Sequence, residues 1–87
     1  MATMEFISNF DAVTMHIYNN DEVRDTTSKH NTKDDARQEA FDIVWMIKTN
    51  MNAINYELNA SEFYINTDED TLEYDDSKYR FSIYIYE

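Results

Sequence analysis

Two groups of carboxylates are the residues of this sequence best placed to do chemistry: Asp34, Asp35, Glu39 and Asp42 in one stretch, and Glu62, Asp68, Glu69, Asp70, Glu73, Asp75 and Asp76 in another. What they could do is stand in for phosphates. Alternate residues on a strand lie about 6.6 Å apart and helix residues i and i+4 about 5–6 Å apart. Both distances are comparable with two steps of about 3.4 Å along one DNA strand. Rows of Asp and Glu on a sheet and an adjoining helix would attract a protein with a basic DNA-binding groove. The plainer reading is that acidic surface keeps a small protein in solution, and the sequence leaves both open. The acid is concentrated late in the chain: residues 57–87 hold nine Asp and Glu against Lys78 and Arg80. In total 18 acids face 7 Lys and Arg, a formal net charge of −11. Such a chain repels nucleic acid and anionic membranes, so its expected partner is another protein, such as a DNA-binding protein or nuclease.

Other chemistry finds little support. Asp68 to Tyr79 superficially resembles a calcium loop, but an EF-hand needs Gly at its sixth position and Glu at its twelfth, and this segment has Glu73 and Tyr79 there. His16 and His30 stand in no ligand spacing. None of the serines occupies a nucleophile elbow. There are no cysteines, which removes disulfides and thiolate metal sites, and no glycines, which removes a Gly-rich phosphate loop. The expectation is a binding protein with no metal or cofactor and no catalytic residues, not an enzyme. Tyr74, Tyr84 and Tyr86 are candidates for a contact surface on an outer sheet face, since tyrosine joins apolar area to a polar tip. A homodimer through that face would also lengthen any acidic stripe. Asn59-Ala60-Ser61 matches a glycosylation sequon but follows no secretory signal.

These side chains need elements to hold them, and the clearest is a helix over residues 32–52. Ala36, Ala40, Ile43, Val44, Ile47, Met51 and Ile54 recur at helical spacing. Thr32 is a suitable N-cap, and Asp34 and Asp35 favour the positive end of the helix dipole. Phe41 and Trp45, an i, i+4 pair, are expected to widen the buried stripe. At the C-terminal end, residues 79–86 alternate Tyr79, Phe81, Ile83 and Ile85 with Arg80, Ser82, Tyr84 and Tyr86, the pattern of a half-buried strand. Shorter strands are expected at 62–66 and 71–74, with turns at 67–70 and 75–78. The N-terminal segment, residues 4–18, is ambiguous between strand and helix, since Phe6, Phe10, Val13 and Ile17 also keep helical spacing. A strand over 12–18, a turn at 19–21 and a polar returning strand over 22–28 is the preferred reading. With neither Gly nor Pro present, Asn, Asp, Ser and Thr must make every turn.

A chain of 87 residues is expected to be one domain. The fold class expected is α+β, in the order β-β-α-β-β-β. One long helix would cover one face of an antiparallel sheet of four to five strands, and the other face would be polar and acidic. No run is long and apolar enough to span a membrane, and the N-terminus lacks a signal-peptide pattern, so a cytoplasmic location is expected.

In size, charge, its single long helix from Thr32 and its acidic strand region from Glu62 to Glu87, the chain resembles the small acidic phage proteins that block bacterial defence. It is most similar in these respects to the Arn-type anti-restriction proteins of T-even phages. That resemblance implies a dimeric DNA mimic that inhibits a modification-dependent nuclease of the McrBC type in the host cytosol. It carries no specific motif, so no functional residue is transferred from it.

Overall fold

The computed structural model describes residues 1–10 and 25–87. Within them the chain forms β1 (Ala2–Ser8), β2 (Thr26–His30), α1 (Lys33–Ala53), a 3-10 turn (Ala60–Glu62), β3 (Phe63–Asn66), β4 (Thr71–Asp75) and β5 (Arg80–Tyr86). The five strands make one antiparallel sheet in the order β2-β1-β5-β4-β3. The fold is α+β, with the helix packed on one sheet face. Among the described residues, no helix is long and apolar enough to cross a membrane.

The helix starts and stops where its sequence directs. Thr32 is extended, and its hydroxyl accepts from the Asp35 N–H at 3.1 Å. At the other end Asn55 takes φ of 60°, a left-handed position usually given to glycine. The Asn55 N–H donates to the Asn52 carbonyl at 3.0 Å and the Tyr56 N–H to the Met51 carbonyl at 2.8 Å, closing a Schellman turn. Asp70 and Ser77 fill two more left-handed positions, with φ of 51° and 78°. At these three turns Asn, Asp and Ser do take the place of glycine.

Ala36, Ile43, Ile47 and Met51 are buried on the helix, against Met4, Phe6, Phe81, Ile83 and Ile85 from the two central strands. Register explains the match. Met4 lies opposite Ile85, Phe6 opposite Ile83, and Tyr74 opposite Phe81, so all six point to the helix side. Tyr74 stacks on Phe81 with ring centres 5.2 Å apart. Tyr74 is 1% exposed and belongs to the core, not to the outer face expected of it.

Elsewhere the structure departs from expectation. Residues 2–8, assigned no element from sequence, form β1; its inward residues are Ala2, Met4 and Phe6, of which Ala and Met lack the β-branched signature of a strand. The expected strand over 12–18 and its turn lie outside the described residues, as do 22–24, and the second strand runs 26–30. Phe41 and Trp45 are each 64% exposed. With 3.6 residues per turn, each sits about 160° from Ile43 around the helix axis, away from the buried stripe. Ile54, at 48% exposed, has already left the helix for the turn at Asn55.

The helix is off-centre. It lies over β1, β2 and β5, leaving the helix-side face of β4 and β3 partly open. Among the described residues nothing covers the opposite face, where the register groups Tyr64, Tyr84 and Tyr86 with Glu5, Glu73 and Asp75, and with Lys29 and Arg80. Three carboxylates against two cations make that face nearly neutral, where an acidic one was expected.

Candidate functional site

The carboxylates fall into separate groups. Near the start of α1, Arg37 donates from Nη1 to Asp34 at 2.6 Å and from Nε and Nη2 to the two oxygens of Asp70 at 2.8 and 3.1 Å. Lys33 approaches Asp70 at 3.5 Å. This network ties the β3–β4 turn, with Asp68 and Glu69 beside it, to the helix. The Arg37 hydrogen bonds hold the Asp70 carboxyl below the usual carboxylate range against the opposing effect of burial. Asp34 and Asp70 therefore already have cationic partners, and Asp70 is only 10% exposed in its side chain.

Beyond the far end of β4, six residues after Asp70, Asp76 organises the β4–β5 turn. Its Oδ2 accepts from the hydroxyls of Tyr56 at 2.5 Å and Tyr74 at 2.6 Å. Its Oδ1 accepts from the backbone N–H groups of Tyr79 at 2.8 Å and Lys78 at 3.0 Å. Burial pushes this carboxyl up, but the two hydroxyls and the N–H groups outweigh it and hold it at about 2. The same contacts push Tyr56 up to about 12, mainly through Asp76, and Tyr74 up to about 12, mainly through burial. Asp76 is thus a structural acceptor.

Glu39 is also engaged. Its Oε2 meets His30 Nε2 at 2.5 Å and accepts from the Ser28 hydroxyl at 2.9 Å, while Ser28 Oγ lies 3.0 Å from the same His30 nitrogen. Serine, histidine and glutamate suggest a nucleophilic triad, but its logic requires the histidine to bridge the other two through different ring nitrogens. Here one nitrogen serves both and the serine donates to the acid. The cluster pins edge strand β2 to the helix. Among the described residues no group of three or more His, Asp or Glu could hold a metal ion.

What remains at the surface is Asp35, Asp42, Glu62, Asp68, Glu69, Glu73 and Asp75, all exposed. Glu73 and Asp75 face the uncovered sheet side, and Glu73 lies 3.4 Å from the Tyr84 hydroxyl. Of the expected contact tyrosines, Tyr86 is exposed and Tyr84 half-buried, and the unforeseen Tyr64 joins them.

No family model, curated protein or solved structure matches the chain.

The most distinctive surface is one that sequence reasoning assigned to the core. Where α1 leaves β4 and β3 open, a cleft of about 360 Å³ runs between Ala40 and Phe41 on the helix and Ile65, Leu72, Ile83 and Ile85 on the sheet. The Arg37–Asp70 pair closes one end. Phe41 forms one lip at 64% exposed and Ile65 the other at 60%, with Trp45 one helical turn beyond Phe41. Asp42 follows Phe41 on the helix, and Asp68 and Glu69 stand exposed on the turn whose Asn66, Thr67 and Asp70 line the cleft. The signal for it was present, because Phe41 and Trp45 sit off the buried stripe by simple helical geometry.

Proposed function

We propose that the protein is a binding protein that docks a basic protein partner through the apolar strip of Phe41, Trp45 and Ile65, with the neighbouring carboxylates as an acidic rim. The observation that carries this reading is the exposure of Phe41 and Ile65 at the mouth of an apolar cleft, with exposed Trp45 one helical turn beyond, in a chain whose net charge is −11. A large aromatic left in water on a small domain has no benefit for folding, and contiguous exposed apolar surface marks interaction sites. An apolar centre with a polar rim is the usual anatomy of a protein interface, and the central aromatics carry most of its affinity.

A basic partner surface is what nucleic-acid-binding proteins and nucleases present, so inhibition of such a protein remains the leading consequence. Carboxylates then substitute for phosphates locally, at Asp42, Asp68 and Glu69, instead of along one continuous row. The partner is held by apolar anchors and steered by charge.

The test compares two baits in bacterial lysate, the wild-type protein and a Phe41→Ser/Trp45→Ser variant. A partner retained by the first and lost from the second, weakened by added salt and displaced by duplex DNA, supports the reading. Equal capture by both baits would move the site to the tyrosine face of the sheet, and capture unaffected by salt would remove the electrostatic half.

A further inference from the structure

Among the described residues β2 and β3 are the two edges of the sheet, and they are built differently. Edge strand β2 reads Thr-Thr-Ser-Lys-His; its Lys29 donates to Thr3 at 3.0 Å and its His30 is held by Glu39. Polar and charged residues of this kind blunt an edge against pairing. The other edge, β3, reads Phe-Tyr-Ile-Asn and carries no charge, and Tyr64 and Ile65 are each 60% exposed. It is the free-edge composition that folded proteins usually avoid. β3 also borders the cleft. Ile65 lies opposite Leu72, which lies opposite Ile83, so a further strand laid beside β3 would place alternate side chains on the side that opens into the cleft.

From this arrangement we infer that β3 accepts an extended segment of the partner as a sixth strand. One apolar side chain of that segment enters the cleft between Phe41 and Ile65, and basic residues on either side of it face the acids at the two ends of β3. Those acids are Glu62 at the start of the strand and Asp68 and Glu69 just beyond its end. Strand addition takes affinity from main-chain hydrogen bonds and specificity from pockets for alternate side chains, and β3 with its cleft supplies both. A second copy of this chain is a poor occupant, because it would set Glu62, Asp68 and Glu69 against their own counterparts in a chain of net charge −11. The inference rests on the reading that the protein binds a basic partner and specifies how it does so.

The test uses the full chain and two short synthetic peptides, each with alternating Thr and Val or Ile and a central Ile, one flanked by lysines and the other by glutamates. Backbone hydrogen exchange reads β3, and the emission of Trp45, the single tryptophan, reads the helix lip. Expected are slowed exchange at Phe63–Asn66 with the lysine-flanked peptide, binding weaker by about tenfold or more with the glutamate-flanked one, and loss of binding in Ile65→Asp with unchanged thermal unfolding. A Trp45 shift without protection of β3 would overturn strand addition while leaving the apolar strip as the site. No response from either probe would overturn the inference alone, since the bait comparison judges the wider reading. Concentration-dependent protection of β3 without peptide, with sedimentation as a dimer, would assign the edge to a second copy and overturn it too.

Discussion

Arg37 holds Asp70 through two parallel hydrogen bonds, from Nε to Oδ1 at 2.8 Å and from Nη2 to Oδ2 at 3.1 Å. Asp70 meets that grip from a left-handed backbone position, and its carbonyl also accepts from the Ile85 N–H at 3.0 Å. One residue thus joins the β3–β4 turn to both the helix and the central strand. Lysine has the charge but not the fork, so Arg37→Lys should lower the melting temperature and speed hydrogen exchange at residues 67–70. In a double-mutant cycle Arg37→Lys and Asp70→Asn should be clearly non-additive, whereas additive losses would mean the contact is incidental.

Acid should separate Asp76 from the other carboxylates. Its folded-state value, about 2, lies below that of an ordinary aspartate, so the unfolded chain binds the proton more readily. The stability it contributes is complete above about pH 4 and is lost as pH falls through about 2. Relief of charge repulsion among the remaining acids works in the opposite direction, so the measurement is a difference. Urea denaturation of wild type and Asp76→Asn should diverge at pH 6 and converge near pH 2.

At the alkaline end Tyr56 and Tyr74 have folded values raised to about 12. Their contribution is intact below about pH 10, the ordinary tyrosine value, and disappears as pH rises through 12. Tyr74→Phe should flatten that alkaline decline when unfolding is followed by circular dichroism.

The left-handed turns offer a way to stabilise the fold. Ser77 has φ of 78° and Asn55 φ of 60°. Such backbone costs a residue with a side chain roughly 1–2 kcal/mol, less for Asn, and costs glycine nothing. Ser77→Gly should therefore raise stability by about 0.5–1 kcal/mol, a gain of several degrees in a domain of this size, with a smaller gain for Asn55→Gly. No change in melting temperature at either site would show that the local side-chain bonds already compensate.

The helix should tolerate substitution very unevenly around its axis. Ile47→Ala removes a fully buried side chain and should cost about 2–5 kcal/mol, enough to unfold a marginal domain. Phe41→Ser and Trp45→Ser, on the opposite side, should each stay within about 0.5 kcal/mol of wild type in chemical denaturation. A large loss at Trp45 would mean that it packs, which would weaken its role as a docking anchor.

Much of this architecture was legible in the sequence because it rests on local periodicity. The alternation from Tyr79 to Tyr86 located β5 and its buried face, and Thr32 located the helix start. The site was less legible because it depends on what meets what. Asp70 and Asp76 read as free carboxylates until the fold brings Arg37 to one and two tyrosine hydroxyls to the other. Tyr74 read as surface because the inward side of β4 is set by its pairing with β5, across a turn whose register a sequence does not display. Phe41 and Trp45 mislead for another reason: their spacing of four is helical, but each lies about 160° around the axis from Ile43.

The order of strands in the sheet also determines when the fold can close. β5, the last strand in sequence, occupies the middle of the sheet, with β1, the first, hydrogen-bonded along one side and Thr3 opposite Tyr86. Until Arg80–Tyr86 is available, β1–β2 and β3–β4 are two hairpins with no shared hydrogen bonds and no common floor for α1. A ribosome must therefore release nearly the whole domain before its centre exists, and folding waits for its most distant contact, a topology that is characteristically slow.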